Sequence, residues 1–104
     1  MINWYCKYHQ NDDEFVIDIK GHAGYSKVGQ DIVCASVSSI IYFFVNCVDQ
    51  IDGSSIKHLK LKSGDAEIKL NNIEKLKPLL EVFQHSMRDL ESQYPQCLKE
   101  VNEL

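Results

Sequence analysis

Asp31-Ile32-Val33-Cys34-Ala35-Ser36-Val37-Ser38-Ser39-Ile40-Ile41-Tyr42-Phe43-Phe44-Val45-Asn46-Cys47-Val48 is the stretch whose reading decides the fold. Asp31 has the character of a helix N-cap, a carboxylate that accepts bonds from the first free backbone N–H groups. From Ile32 to about Asp49 the apolar period is helical. Counted at about 100° per residue from Cys34, the apolar side chains fill an arc of about 200°. Packing on one side uses only about half of that arc. The helix is therefore expected to be buried twice, once on a sheet and once on something else.

Outward from this helix the periodicity changes. Ile2, Trp4, Cys6 and Tyr8 alternate with Asn3, Tyr5 and Lys7; after the turn cluster Gln10-Asn11-Asp12-Asp13, Phe15, Ile17 and Ile19 alternate with Val16, Asp18 and Lys20. These two runs predict a β-hairpin closed by Gly21. Residues 21–31 carry three of the five glycines and no periodicity, which predicts a mobile loop. Downstream, Ile56 to Lys62 and Ala66 to Leu70 predict a second hairpin around Ser63-Gly64-Asp65, with Leu59, Leu61, Ile68 and Leu70 inward. Leu76, Leu79, Leu80, Phe83, Met87, Leu90 and Tyr94 fall within about 100° of a second helix. Pro78 fits its first turn and Pro95 stops it. Cys97 to Val101 is a candidate short edge strand. The order is ββαββα with a possible last β. It predicts one α+β domain over residues 1–104, a two-layer structure with an antiparallel sheet and both helices on one face. The wide arc of the first helix, beside the narrow stripe of the second, predicts a homodimer that covers the excess.

The chain has 104 residues, 44% hydrophobic and 25% charged, which is the composition of an ordinary globular domain. Eleven Lys plus Arg against fifteen Asp plus Glu leave a net charge of −4. With no long basic run, direct binding of nucleic acid through phosphates is not expected. Ile32 to Val48 is interrupted by Ser36, Ser38, Ser39 and Asn46 and is shorter than the roughly 20 apolar residues of a membrane span, so no membrane partner is expected. Met1-Ile2-Asn3-Trp4-Tyr5 lacks the basic-then-apolar pattern of a signal peptide. The expected location is the cytoplasm, where Cys6, Cys34, Cys47 and Cys97 stay thiols.

Cys34 is the chemically distinctive thiol. With Asp31 as cap it is the third helical residue, where unpaired N–H groups and the positive end of the helix dipole favour a thiolate. The charge of Asp31 opposes this unless capping bonds absorb it. The alternative reading is a small core residue at the start of a buried helix. His22 stands at the other mouth of the glycine loop, twelve residues earlier. A histidine at a strand end and a cysteine at a helix start, joined by one loop, fit a nucleophile and its base. A partly exposed loop histidine is the plainer alternative. Cys6 and Cys47 read as core, Cys97 as unpartnered, and His9, His58 and His85 as surface. Lys57, Lys60, Lys62 and Lys69 read as a solvated face of the second hairpin. Cys6, His9, His22 and Cys34 have the spacing of a zinc site only superficially. Cys6 and His9, three apart on a strand, point to opposite faces. No metal and no cofactor are expected.

Gly21-His22-Ala23, followed by a glycine-containing loop and Gly29-x-Asp31-Ile32-Val33-Cys34-Ala35-x-Val37-Ser38, resembles the ribosomal-processing cysteine protease family, Prp. The chain length and the hairpin–helix–hairpin–helix order agree with that family throughout. The small Ser36 stands where relatives often carry Ala or Gly.

This resemblance implies a dimeric cysteine endopeptidase that removes the N-terminal extension of large-subunit ribosomal protein twenty-seven. Its cut falls after a pair of aromatic residues and before a small one. It implies Cys34 as nucleophile, His22 as general base and acid, and Asp31 in a capping or orienting role. Backbone N–H groups at the helix start, that of Cys34 included, are then the expected oxyanion donors. The loop Ala23 to Gln30 is expected to open for the peptide, with Gly24 and Gly29 as hinges and Tyr25 lining an aromatic pocket. The competing class is a non-catalytic, ribosome-associated binding module with the same fold. A catalytic Cys34 would alkylate faster than a free thiol and lose that advantage in His22→Ala.

Overall fold

The structure, a computed structural model, describes residues 1–27 and 30–104. In chain order the elements are β1 (Ile2–His9), β2 (Glu14–Lys20), α1 (Ile32–Asp52), β3 (Ile56–Lys62), β4 (Asp65–Leu70), α2 (Lys77–Gln93) and β5 (Leu98–Glu100). Short 3-10 turns precede β2, β3 and α2. One sheet holds all five strands in the order β3-β4-β2-β1-β5.

Both expected hairpins form, and β4 joins them by pairing antiparallel with β2, Ile68 opposite Ile17 and Ala66 opposite Ile19. The expected wholly antiparallel sheet needs one correction. The edge strand β5 runs parallel to β1, Leu98 opposite Ile2 and Glu100 opposite Trp4. A chain leaving α2 has crossed back over the sheet and so enters the edge in the direction of β1. Three residues suffice because side chains secure the edge. The Arg88 guanidinium donates to both Glu100 oxygens, at 2.9 and 3.0 Å, and the Glu91 carboxylate accepts from Glu100 N–H and from the Trp4 indole.

The alternation along the strands puts Ile2, Trp4, Phe15, Ile17, Ile19, Ala66, Ile68 and Leu70 on one face. There they share a single buried cluster with Val33, Val37, Ile41, Phe44 and Val48 of α1 and Leu80, Phe83, Met87 and Leu90 of α2. The helices meet at Phe44 and Phe83, whose ring centroids are 4.6 Å apart. Fully burying each of the largest of these side chains contributes about 1.5–3 kcal/mol. The opposite face carries cross-strand ion pairs, Lys20 with Asp65 and Glu67 and Lys60 with Asp65.

Two expectations shift at the margins. Helix α1 runs to Asp52, one turn beyond the apolar repeat. Leu59 is 44% exposed, not inward, because β3 is the outer edge of the sheet and its register slips between Ile56 and His58. Leu61, further along the strand, is packed against the core. Pro78 lies in the first turn of α2, where its missing N–H breaks no helical bond.

Candidate active site

Asp31 is the N-cap of α1, in extended backbone conformation with φ −83° and ψ 107°. Its Oδ1 accepts from Val33 N–H at 2.9 Å and from Cys34 N–H at 3.0 Å. Its Oδ2 accepts from Tyr25 N–H at 2.9 Å and Ser26 N–H at 3.2 Å. Only 7% of Asp31 is exposed. Burial pushes this carboxyl up, but the bonds from Cys34, Ser26, Tyr25 and Val33 outweigh it and hold the group below its ordinary value. The carboxylate thus stays ionised while its charge is spread over four donors.

This bonding bears on two expectations. The loop is bonded to Asp31 at Tyr25 and Ser26, and the Tyr25 ring meets Tyr94 edge-on at 5.6 Å, which takes it to the end of α2. Gly24 is exposed beside them, in left-handed conformation. Gly29, the other expected hinge, lies outside the described residues. The second concerns the oxyanion donors. The Cys34 and Val33 N–H groups at the helix start donate to Asp31. Cys34 Sγ itself accepts from Ala23 N–H at 3.3 Å.

Cys34 is half-buried on the first turn of α1, and His22 is exposed just past the end of β2. Both line one cleft of about 300 Å³. Its wall is apolar where Ile19, Val37, Ile41, Leu61 and Ala66 meet, and polar at the rim, where Ser38, Tyr42 and Ser63 to Asp65 contribute. Among the described residues, the bond to the sulfur comes from Ala23, not from His22. Cys34 and His22 are therefore brought to one space without being joined in it.

The β3–β4 side of the cleft was not visible in the motif residues. Leu61 and Gly64 lie some forty residues from His22 in the chain and reach it only because β4 pairs with β2. Ser38, four residues after Cys34, had a signal, since i and i+4 share a helix face. Asp65, at the hairpin tip, is held by Lys20 first and then Lys60, which bring its carboxyl down to about 2. Cys6 is the opposite case. Burial first, and then the charge of Glu100, push its thiol up to about 12, so it stays protonated in the core.

A half-buried thiol on a helix start, a backbone N–H aimed at its sulfur and a histidine in the same cleft belong to the class of cysteine proteases. The chain is a member of the cysteine protease Prp family, whose model matches residues 1–99. Solved structures agree in fold. The essential ribosomal processing protease Prp from S. aureus, in complex with a covalently linked product peptide, is 20% identical; 99% of this chain and 100% of that one align, with a TM-score of 0.83. The same protease in complex with a substrate peptide is 18% identical over 99% and 100% of the two chains, with a TM-score of 0.76. SMU.848 from Streptococcus mutans is 25% identical over 99% and 96%, with a TM-score of 0.73. Among curated proteins, none matches this chain significantly by sequence.

Proposed function

We propose that this cysteine protease removes the N-terminal extension of large-subunit ribosomal protein twenty-seven in the cytoplasm, cutting after aromatic residues. Cys34 is the nucleophile and His22 the general base and acid. The observation that carries this reading is the shared cleft, which sets Cys34 and His22 beside an apolar wall. The S. aureus protease, with its bound substrate and product peptides, supports a peptide as the occupant.

The chemistry runs as acyl transfer. His22 takes the Cys34 thiol proton, and the thiolate attacks the carbonyl carbon after the aromatic residue. Ala23 N–H, which lies beside the sulfur in the free protein, is a candidate donor for the oxygen that becomes negative. The C–N bond breaks as His22 returns the proton to the leaving amine, leaving a thioester on Cys34. Water, losing a proton to His22, then releases the acid and the thiol. A direct bond between Cys34 and His22 is not required before the peptide binds, because catalytic hydrogen bonds commonly tighten only in the complex. The apolar wall from Ile19 to Ala66 suits an aromatic side chain.

The assembly we propose is a homodimer. By length and composition α1 would pass for a membrane span, yet its inner side belongs to the core of the sheet. Its outer side is apolar too. Phe43 is 70% exposed and Val82 on α2 is 59% exposed, flanking an apolar groove with Ile40 and Leu79. A second copy laying the same face here gives the self-complementary contact of a twofold dimer. Sedimentation of the parent beside Phe43→Glu tests it, the parent running as a dimer and the variant as a folded monomer.

The activity is tested with a peptide spanning the extension junction, read by mass spectrometry beside Cys34→Ala. Cleavage at one bond by the parent alone is the expected result. Cleavage by neither, from protein shown to be folded, would overturn the proposed substrate.

A further inference from the structure

The His22 ring rests against the α-carbon of Gly64, at the tip of the β3–β4 turn. A β-carbon at Gly64 would stand 2.6 Å from Nε2, 2.9 Å from Cε1 and 3.3 Å from Cδ2 of that ring. Such distances are well inside the ~3.5–4.0 Å optimum for unbonded heavy atoms. The contact is not accidental to a loose loop. Gly21 N–H donates to the Gly64 carbonyl at 2.9 Å, and Lys20 faces Asp65 in register and pairs with its carboxylate. The two residues that lead into His22 are therefore tied to the same turn.

We propose that Gly64 is a positioning residue for His22: its missing side chain is the seat that lets the imidazole lie in the cleft it shares with Cys34. This rests on the reading of His22 as general base. The ring is the exposed end of a side chain with two rotatable bonds, so a side chain at residue 64 displaces the ring more readily than it disrupts the turn. The cost then falls on rate rather than on stability, because a misplacement of about 1 Å in a catalytic group can cost about 100-fold. Gly64 also has φ +72°, which glycine adopts without strain. The two reasons for glycine separate by substitution. Asn tolerates left-handed backbone better than other side-chain-bearing residues but still carries the offending β-carbon, whereas Ala pays for both.

The test compares the parent, Gly64→Asn, Gly64→Ala and His22→Ala with the junction peptide, alongside thermal melts and nuclear Overhauser contacts from the His22 ring. The parent is expected to show contacts between His22 ring protons and the Gly64 α-protons. Gly64→Asn is expected to melt within about 5 °C of the parent, yet lose about 10- to 100-fold in kcat/KM, mostly in kcat, with a shifted acid limb of the pH–rate profile. Full activity in Gly64→Asn with His22→Ala inactive would overturn the seat and leave the protease reading standing. Full activity in His22→Ala would instead overturn the assignment of His22 as base, and the role of the seat with it. Absence of the ring-to-Gly64 contacts in the parent would overturn the seat whatever the rates.

Discussion

The two walls of the cleft are built on different principles. Cys34 sits on a helix start whose exposed donors are spoken for: Val33 and Cys34 N–H go to one oxygen of Asp31, Tyr25 and Ser26 N–H to the other, and Ala23 N–H goes to the sulfur itself. His22 sits on an exposed strand end, and what it rests against is a turn from a distant part of the chain. One wall is preorganised locally, and the other only through the sheet. Cys34 is thus held by its own helix start and the adjoining loop, whereas His22 rests on a turn that only the sheet brings to it.

Removing the proposed base should break this contrast most severely. His22→Ala is expected to lower kcat/KM by about 100- to 10,000-fold, the usual range for a general acid–base group, and to slow alkylation of Cys34 by iodoacetamide at pH 7. Unchanged alkylation would show that the thiol does not depend on the facing wall.

Asp31 separates the two halves of the fixed wall. Asp31→Ala loses cap and loop anchor together and is expected to lower the melting temperature by about 4–8 °C. Asp31→Asn keeps an oxygen for Val33 and Cys34, but its amide nitrogen cannot accept from Tyr25 and Ser26. It should melt close to the parent and still lose about tenfold in rate, since Ala23 is no longer held through the loop. A parental rate in Asp31→Asn would mean that the loop bonds do not position Ala23.

On the hairpin side the effect is smaller and depends on pH. The carboxyl of Asp65 is lowered in the folded chain by Lys20 and Lys60, so its contribution is complete above the ordinary carboxylate range and is lost as pH falls through about 2. Melts of the parent and Asp65→Asn should differ by a constant amount above pH 5 and converge towards pH 2. A gap that widened on acidification would contradict this sign.

The smallest expected effect is at Cys6. With its thiol pushed up to about 12 it should resist iodoacetamide at pH 8 in the folded protein and react on unfolding, in contrast to Cys34. Mass mapping of the labelled peptides reads both sites in one experiment.

Much of this was legible in the residues alone, for a physical reason. Helix α1, its Asp31 cap and the position of Cys34 follow from interactions within four residues, as do the alternation of Ile2 to Tyr8 and Phe15 to Ile19 and the proline-marked start of α2. The apolar excess of α1 is likewise a property of one helix. What the residues did not disclose are the non-local choices: β4 beside β2, the parallel entry of β5, the exposure of Leu59 at the sheet edge, and Gly64 beneath His22. Even the bond from Ala23 N–H to the sulfur was out of reach, because only the loop's path in space brings the two together. Local periodicity and capping thus determined the elements and the place of the Cys34 thiol on a helix start. Strand order, a competition among distant partners for the same sheet edges, decided which turn faces that thiol and where its histidine rests.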